Sequence, residues 1–563
     1  MKNIIYSISI ALAAALPLGG CSEFLDTVPD ERTQLDKVDK VEALLVSAYP
    51  QRSFAALVHY RCDNITDFGM TQTGGQPISL VQFAGEEFTW SESIQPNGND
   101  TEEAFWTACY EAVAHANHAL HALDDLPETE GRAARGEALM ARAFSHFYLV
   151  SLFSELYNPT TAALHPGIPY VTEPEERPIV TYRRETVADT YAKIDQDIQA
   201  GMPLMTDGAG FHAPKYHFGI ASACAFATRF YLLKGDYGNV IKYADMVFPV
   251  PSQFDDILTP AGTALKNADG TPVKNVSPAD NAIAFAAGNF HPFISSYTSM
   301  STATGIMGAY ASSSTAANLL QSEQFTSLGL LNYRYYSRFG LSLNDARSML
   351  FADSGTSGGD WIFLGCFYGS DMLFLPKLDY DLYKSSVSAT SGIPYSVMPL
   401  LRMEELLLNR AEAYVMTDDF DKAIADMNVY LSQRIVRDAT SDSGRVYDPK
   451  NFYLSRDRAL EATISDRTVN GFINQYNDTA SWPEIKKALV ILLLRYRNLE
   501  FWQEGLRWYD IRRWNIPVKH TLASGASNTL APGDGRRVLQ IPESALLSGV
   551  EKNERQNVDD VWN

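Results

Sequence analysis

The sequence lacks most of the short motifs that mark enzymes. No His-Glu-x-x-His helix, Gly-Lys-Ser/Thr phosphate loop or Gly-x-Gly-x-x-Gly fingerprint occurs in the 563 residues. Their absence argues against the zinc proteases, P-loop enzymes and dinucleotide-binding enzymes that carry them. We therefore predict a protein that is not an enzyme and has no catalytic residues. The abundant acidic side chains leave a glycosidase carboxylate pair open, because a separation in space defines that pair.

Positive charge is also scarce. The chain has 46 Lys and Arg residues against 67 Asp and Glu residues, for a net charge of −21 at pH 7. This acidity argues against nucleic acid and anionic lipid as partners, because both repel a negatively charged surface. A neutral or cationic ligand is favoured.

Cysteines are few and scattered. After Cys21 the chain has Cys62, Cys109, Cys224 and Cys366, none of them in a Cys-x-x-Cys pair. The spacing predicts neither a zinc site nor a disulfide framework, so these are most simply small buried residues whose redox state stays open. No cofactor is predicted, and nothing in the sequence indicates a structural Ca²⁺ ion, although one stays open.

A long hydrophobic run is missing after Cys21, and the run near the N-terminus, Ile4–Leu16, is too short for a permanent membrane span. It leads to Leu18-Gly19-Gly20 directly before Cys21, the order found in bacterial lipoprotein signals. We predict that residues 1–20 are a removed signal and that Cys21 becomes the acylated first residue. Two or more acyl chains would anchor the protein to a membrane without crossing it.

Helical periodicity dominates the first part of the chain. Apolar residues recur at steps of three and four in segments 102–123, 139–153 and 187–198, as on one face of a helix. In the first segment His115, His118 and His121 lie three apart, a spacing that could form a metal-binding face. Imidazoles on a partly buried helix more often hydrogen-bond to neighbours, so we predict no metal site.

Two later segments resemble each other. In each, an aromatic residue ends one helix, a polar turn follows and a second aromatic residue begins the next helix: Tyr231 and Tyr237 in one copy, Tyr414 and Phe420 in the other. This pattern is typical of a tetratricopeptide-like helical hairpin. The copies lie far apart, which favours scattered hairpins over a continuous solenoid. We predict a predominantly α fold built on such hairpins.

The helical period fades between residues 250 and 395, where Gly, Ser, Thr, Pro and Asn dominate stretches such as 295–318. A structureless loop of this length is implausible in a compact domain. We therefore predict a loop-rich insertion, about 250–395, that carries short strands and the ligand face. The helical scaffold would comprise 36–248 and 396–563 within a single domain, 21–563.

Aromatic side chains in segment 333–374 are roughly twice as dense as in the whole chain. A sugar stacks its C–H face on an aromatic ring while its hydroxyls take directional hydrogen bonds. The predicted ligand-binding residues come from this segment and from an earlier polar cluster: Tyr333, Tyr336, Trp361 and Tyr368, with Asp63, Asn64, Asp67 and Trp90. The rings could instead fill the core of the insertion, and the acidic residues could close turns.

The C-terminal part carries a family resemblance. Residues 497–514, RNLEFWQEGLRWYDIRRW, resemble the helix signature of the SusD/RagB family of outer-membrane nutrient-binding lipoproteins. Further matches are Phe24-Leu25-Asp26 after Cys21, Trp106 with Tyr110 and Asn117, residues 135–144, Arg402-Met403-Glu404 with 411–414, and residues 540–542 and 553–557. Within the signature, charged residues three apart predict ion pairs along one helix: Glu504, Arg507, Asp510 and Arg513. Gly505 in mid-helix predicts a close approach of another backbone.

The resemblance implies tetratricopeptide-like hairpins that support a ligand face of loops. It also implies a lipid-anchored protein on the extracellular face of the outer membrane that captures oligosaccharides and delivers them to a SusC-like TonB-dependent transporter. Three alternatives stay open: a peptide-binding member of the same family, a surface hydrolase, and a subunit that only completes the transporter. The sequence does not indicate which glycan is bound or which surface docks the transporter.

Overall fold

The computed structural model describes most of the helical sequence and parts of the segment between the two helical regions. The described residues are 35–69, 78–92, 98–175, 177, 180–207, 211–249, 316–329, 338–342, 380–389, 391–436, 454–463 and 479–555, with short pieces between 282 and 291 and between 360 and 378. Cys21, Tyr333 and Tyr336 lie outside them. Among the described residues, no helix combines the length and apolar composition needed to cross a membrane.

Helices form the first part of the described chain. They are α1 (Val38–Leu45), α2 (Phe54–His59), α3 (Ile78–Phe88), α4 (Glu102–Asp124), α5 (Glu128–Phe153), α6 (Val187–Gly201), α7 (Ile220–Lys234) and α8 (Tyr237–Asp245). Helices α4, α5 and α6 contain the three periodic segments, so that prediction is confirmed. The side chains of Thr101 and Thr186 cap α4 and α6 by accepting hydrogen bonds from backbone N–H groups of the first turn.

Helices return after residue 402. They are α9 (Met403–Met416), α10 (Phe420–Ser432), α11 (Arg456–Ala462), α12 (Glu484–Glu500), α13 (Leu506–Arg513) and α14 (Glu543–Leu547). Both predicted hairpins are confirmed, as α7–α8 and α9–α10. The first turns at Gly235, with φ of 78°, and the second at Asp418, with φ of 63°. Helix α9 packs against α7, α8 and α12, so the two hairpins share one core.

Short antiparallel strands complete the described fold. They are β1 (Thr66–Asp67), β2 (Asn318–Phe325), β3 (Phe339–Ser342), β4 (Asp360–Trp361), β5 (Cys366–Tyr368), β6 (Met372–Phe374), β7 (Asp381–Tyr383), β8 (Ile393–Arg402), β9 (Ile435–Val436), β10 (Val518–Thr521) and β11 (Ser527–Leu530). They form a sheet in the order β1-β3-β6-β5, a sheet in the order β2-β8-β7, and the pairs β4-β9 and β10-β11. Strands β2–β7 confirm the expected short strands of the insertion, whereas the β10–β11 hairpin was not predicted.

A buried group of charged side chains, here the ion network, joins the end of β8 to the end of α12. The Glu500 carboxylate accepts hydrogen bonds from Arg402 Nη2 at 3.0 Å and Arg434 Nε at 2.8 Å. Arg434 also bonds Glu404 at 3.1 Å, and Arg402 Nε lies 2.9 Å from Glu504. Burial alone would raise the pKa of Glu500, but the charges of Arg434 and Arg402 hold it below its usual range.

Three more side chains complete the ion network. Lys377 Nζ lies 3.1 Å from Glu504, the Tyr430 hydroxyl donates to Glu500 at 3.1 Å, and His291 Nδ1 lies 3.0 Å from Glu404. The network therefore contains three carboxylates and three Lys or Arg cations from the insertion and the scaffold. Charge balance is what makes such burial tolerable.

The signature segment is divided into two helices, which corrects the expectation of a single continuous helix. Helix α12 ends at Glu500 and α13 begins at Leu506, with Gly505 in the left-handed region at φ of 78°. A Cβ atom at Gly505 would lie 2.5 Å from Phe54 Cε2 and 2.9 Å from Ala55 Cα. The predicted close backbone approach is thus confirmed, although Gly505 precedes a helix and is not inside one.

Replacing Gly505 by Ala tests this close approach. We expect G505A to lower the free energy of unfolding by about 3 kcal/mol, because the new methyl group meets the α2 backbone and also strains φ. The matched control is G525A, since Gly525 has φ of +93° but nothing within 4 Å of its added Cβ; its loss should be about 1 kcal/mol. Equal losses in denaturant titrations of the two variants would show that contact with α2 is unimportant.

Candidate functional site

The sheet β1-β3-β6-β5, here the candidate sheet, brings together two groups of predicted site residues that are distant in sequence. Asp67 in β1 pairs with Phe339 in β3. Ser342 in β3 pairs with Met372 in β6, which pairs in turn with Tyr368 in β5. The outer strands β1 and β5 are three strand spacings apart, about 14 Å. Asp67 of the polar cluster and Tyr368 of the aromatic segment thus lie in one small sheet.

One face of β3 is anchored in the protein core. Phe339 and Leu341 are buried, while the alternate residues Gly340 and Ser342 are only half-buried. The Phe339 ring packs 4.8 Å from Phe88, between ring centroids. This alternation is that of a strand with one face on the core and the other toward solvent. The candidate sheet is therefore fixed to the scaffold from one side.

Asp67 is buried and fully engaged in hydrogen bonds. Its carboxylate accepts from Arg338 Nε at 2.7 Å and Nη2 at 2.8 Å, and from the backbone N–H groups of Gly69 at 2.9 Å and Ala523 at 3.1 Å. Burial alone would raise the pKa of Asp67, but these hydrogen bonds outweigh it and hold the pKa below its usual range. Asp67 thus holds β1 against β3 and the β10–β11 hairpin.

Asp63 and Asn64 are also engaged within the protein. Asp63 accepts two hydrogen bonds from Arg507, at 3.0 and 2.6 Å, and Asn64 donates to the Asn498 side chain at 2.8 Å. Burial would raise the pKa of Asp63, yet the charge of Arg507 keeps it below its usual range. Arg507 therefore pairs with a distant residue, and its expected helical pairing with Glu504 and Asp510 is not the one formed.

The predicted pairing of Asp510 with Arg513 is present, with Arg513 Nη2 2.8 Å from Asp510 Oδ1. Sequence reasoning missed Arg338 and Arg507 as the partners of the polar cluster. Arg507 belongs to the signature segment, but spacing along a helix cannot reveal a partner more than 400 positions away, at Asp63. Arg338 had no distinguishing sequence signal.

Trp90 is a core residue. Its ring is 1% exposed and stacks on His520 with centroids 4.6 Å apart, and its Nε1 donates to the backbone oxygen of Arg61 at 3.2 Å. The Arg536 guanidinium lies 5.5 Å from the Trp90 ring. Trp90 therefore offers no open face to a sugar, and its expected stacking role requires correction. A Trp ring can be buried favourably when its N–H finds a hydrogen-bond acceptor, and the Arg61 backbone oxygen is that acceptor here.

For the remaining aromatic candidates the structure gives the strands of Trp361 and Tyr368 but does not describe Tyr333 and Tyr336. Trp361 in β4 pairs with Ile435 in β9, directly after Arg434 of the ion network. Tyr368 lies in β5 at the edge of the candidate sheet. Tyr333 and Tyr336 fall outside the described residues, as does 355–359, where the sequence has one formal Gly-x-Ser-x-Gly arrangement.

Neither a thiol nor a histidine cluster forms a metal site in the described part of the chain. No group of three or more His, Cys, Asp or Glu side chains there has the arrangement needed to hold an ion. His118 and His121 are exposed on α4. Cys62, Cys109 and Cys224 are buried, as predicted, and none of the three forms a disulfide. Burial raises the pKa of each thiol.

Two family models match the chain. One, described as starch-binding associating with outer membrane, matches residues 23–232, and another, described as the SusD family, matches residues 380–536. None of the curated proteins matches the chain detectably.

Solved structures from Bacteroides species share the fold. A SusD superfamily protein from Bacteroides thetaiotaomicron has a TM-score of 0.56 and 15% identity, covering 92% of this chain and 100% of that chain. A SusD-like carbohydrate binding protein from Bacteroides vulgatus has a TM-score of 0.56 and 14% identity, covering 91% of this chain and 96% of that chain. A SusD superfamily protein from Bacteroides vulgatus has a TM-score of 0.55 and 16% identity, covering 93% and 99%. At these identities the likeness establishes the fold.

Replacing Asp67 by Asn tests whether this carboxylate holds the candidate sheet. We expect D67N to lower the free energy of unfolding at pH 7 by about 2 kcal/mol, because Arg338 loses its buried charged partner. A carboxylate whose folded pKa is lowered stabilises the protein above its unfolded pKa of about 3.9, and that contribution disappears as the pH falls through the folded value. The difference between wild type and D67N should therefore shrink below about pH 4.

The control is D36N, since Asp36 forms an ion pair with Lys40 on α1 in which both side chains are open to solvent. Denaturant titrations at pH 7 should distinguish D67N clearly from D36N, because exposed ion pairs contribute little. A D67N variant as stable as D36N would show that the Asp67 contacts do not hold the sheet.

Proposed function

The chain belongs to the SusD/RagB family, and from this membership we propose that it is a lipid-anchored binding protein that captures oligosaccharides and delivers them to a SusC-like TonB-dependent transporter. One matching family model is described as starch-binding, and one protein of the same fold as carbohydrate binding. Saccharides are also the ligand class that suits a chain with a net charge of −21 and many aromatic residues, because most are uncharged and stack on rings.

The candidate sheet is the observation that carries this proposal. It connects β1, and with it the polar cluster, to the aromatic segment 366–374 through paired strands. Strands hold stacking side chains more firmly than a free loop does, so less conformational entropy is lost when a ligand binds. A sugar-binding surface at this sheet would therefore be largely formed before the ligand arrives.

Within this proposal the predicted residues have two roles. Trp361, Tyr368, Tyr333 and Tyr336 contact the glycan, whereas Asp63, Asn64 and Asp67 hold the surrounding backbone. The second role follows from their contacts, because Asp63 and Asp67 are each held by two hydrogen bonds from an arginine. A carboxylate already paired with a guanidinium is a weak additional acceptor for a sugar hydroxyl.

The protein acts on its glycan by binding alone in this proposal. The titratable groups of the ion network are paired with one another in the core, and Asp63 and Asp67 are paired with arginines. A general acid or base needs a proton that can be exchanged with substrate, and a nucleophile needs an adjacent base. Incubation of the protein with polysaccharides, followed by analysis of newly released reducing ends, would reveal a hydrolase.

Replacing Trp361 by Ala tests the glycan contact proposed for this residue, which lies in the β4–β9 pair and outside the candidate sheet. We expect wild type to bind members of an array of plant, host and microbial oligosaccharides, and W361A to bind the same members at least about tenfold more weakly, a change of roughly 1.4 kcal/mol. Calorimetric titration of the best-bound heptasaccharide would measure this. The W361F variant keeps an aromatic face and should retain part of the affinity.

Thermal unfolding must show that W361A remains folded. Undiminished binding by folded W361A would place the site elsewhere. Wild type that ignores every oligosaccharide on the array but binds members of a peptide library would instead identify a peptide-binding protein of the same family.

Replacing Cys21 by Ala tests the anchor. The match to the first family model begins at residue 23, two positions after this cysteine. We expect wild type to incorporate labelled palmitate, to fractionate with the outer membrane and to be degraded by protease added to intact cells. C21A should lose the label and the membrane association, because no acyl chain remains to partition into the bilayer. C224A, which alters a buried cysteine, is the control and should behave as wild type.

A further inference from the structure

An open aromatic surface lies on the second sheet, β2-β8-β7, which contains none of the predicted site residues placed in the described chain. We call Phe325, Tyr383 and Tyr395 the aromatic face. Phe325 in β2 pairs with Tyr395 in β8, Asp381 in β7 pairs with the same Tyr395, and Tyr383 pairs with Ile393. Residues that pair directly across antiparallel strands, and those two apart along a strand, project from the same side of a sheet. The three rings therefore lie on one side.

This side of the sheet faces solvent. Tyr383 is 64% exposed and Ile393 46% exposed, while Phe325 and Tyr395 are half-buried. The other side turns inward, since Ser396 and Met398 of β8 are buried. An exposed large aromatic side chain is not explained by the packing of the core. The aromatic face thus offers ring surface that the described fold does not use.

Polar groups lie beside the rings. The Tyr395 hydroxyl donates to the Asp381 carboxylate at 3.4 Å, a weak contact that leaves this carboxylate able to accept further hydrogen bonds. The Arg52 guanidinium lies 4.9 Å from the centroid of the Phe325 ring. The Phe325 and Tyr383 rings meet edge to face, with centroids 6.1 Å apart. Ring surface, donor and acceptor therefore occur together on this side of the sheet.

Polar groups and size indicate the occupant. The charges of Asp381 and Glu323 act on the Tyr395 hydroxyl, and the Arg52 guanidinium lies against the Phe325 ring. The aromatic face is about 10 Å across three strands and about 7 Å along them, far smaller than the ~800 Å² that each partner buries in a stable protein interface. A saccharide of two or three rings fits this size, and its hydroxyls can both donate to a carboxylate and accept from a guanidinium.

We infer that the aromatic face is a second saccharide-binding surface, on which Tyr383 stacks the C–H face of a sugar ring while Asp381 and Arg52 bond its hydroxyls. The inference rests on the proposed function for its ligand class, but it assigns residues that differ from those of the Trp361 site. A long glycan that reaches both surfaces would be held by avidity, whereas a short glycan would bind each surface separately.

The test uses Y383A, the conservative variant Y383F and the control L164A, which removes an apolar side chain elsewhere that is even more exposed than Tyr383. Calorimetric titration with the heptasaccharide that wild type binds best, and with the trisaccharide of the same sugar, gives affinity and stoichiometry. We expect wild type to bind two trisaccharides and Y383A one, with heptasaccharide affinity about tenfold weaker in Y383A. Y383F and L164A should match wild type.

The outcomes separate the two proposals. Absence of any glycan binding by wild type overturns both. A trisaccharide stoichiometry of one in wild type, or unchanged binding in Y383A while W361A has lost its affinity, overturns the second surface and leaves the proposed function intact. The inference is also overturned if wild type binds a peptide at this face and Y383A does not, because the exposed β7 strand would then contact protein and not sugar. All four proteins should share one thermal midpoint, since the two replaced side chains are exposed.

Discussion

Neutralisation of buried charge around Glu500 is the constraint on which the rest of the structure depends. Removing an ion from water costs several kcal/mol even after the protein relaxes, so one unpartnered member of the ion network would be strongly destabilising. Glu500 is completely buried and is bonded by both Arg402 and Arg434. Glu500 ends α12, Arg402 ends β8 and Arg434 follows α10. The network therefore fixes where these three elements meet.

The ion network also attaches the short strands of the insertion to the core. Lys377 follows β6 and reaches Glu504, while β9, the partner of the strand that contains Trp361, begins directly after Arg434. Sheets of two or three residues per strand have little stability of their own. Their attachment to a charge-balanced core is what makes them suitable supports for a binding surface. The family signature is in this sense structural, because its charged residues pair with other residues of the chain and hold the backbone.

The sequence predicted what depends on neighbouring residues. Helix α4 and the hairpin α9–α10 follow from apolar spacing and from aromatic residues beside a polar turn, and both are local signals. Partners across the chain are different: nothing near Asp67 indicates Arg338, and nothing near Asp63 indicates Arg507. The burial of Trp90 could not be predicted either, because it depends on His520 and Arg536, which are remote in sequence. The residue type alone does not distinguish an aromatic ring that is buried in the core from one that is open to a ligand.

The division between paired carboxylates and open rings bears on how an acidic protein could hold an uncharged ligand, as the proposed function requires. Arginines neutralise the carboxylates that hold the polar cluster, at Asp63 and Asp67, so the candidate sheet does not present them as free negative charge. On the second sheet, Asp381 accepts a hydrogen bond from Tyr395 and the Arg52 guanidinium lies against the Phe325 ring. Excess negative charge on the remaining surface disfavours contact with other anions. In the proposed function an uncharged saccharide would be held by ring stacking and hydrogen bonding, and because the saccharide carries no charge its affinity should change little with salt.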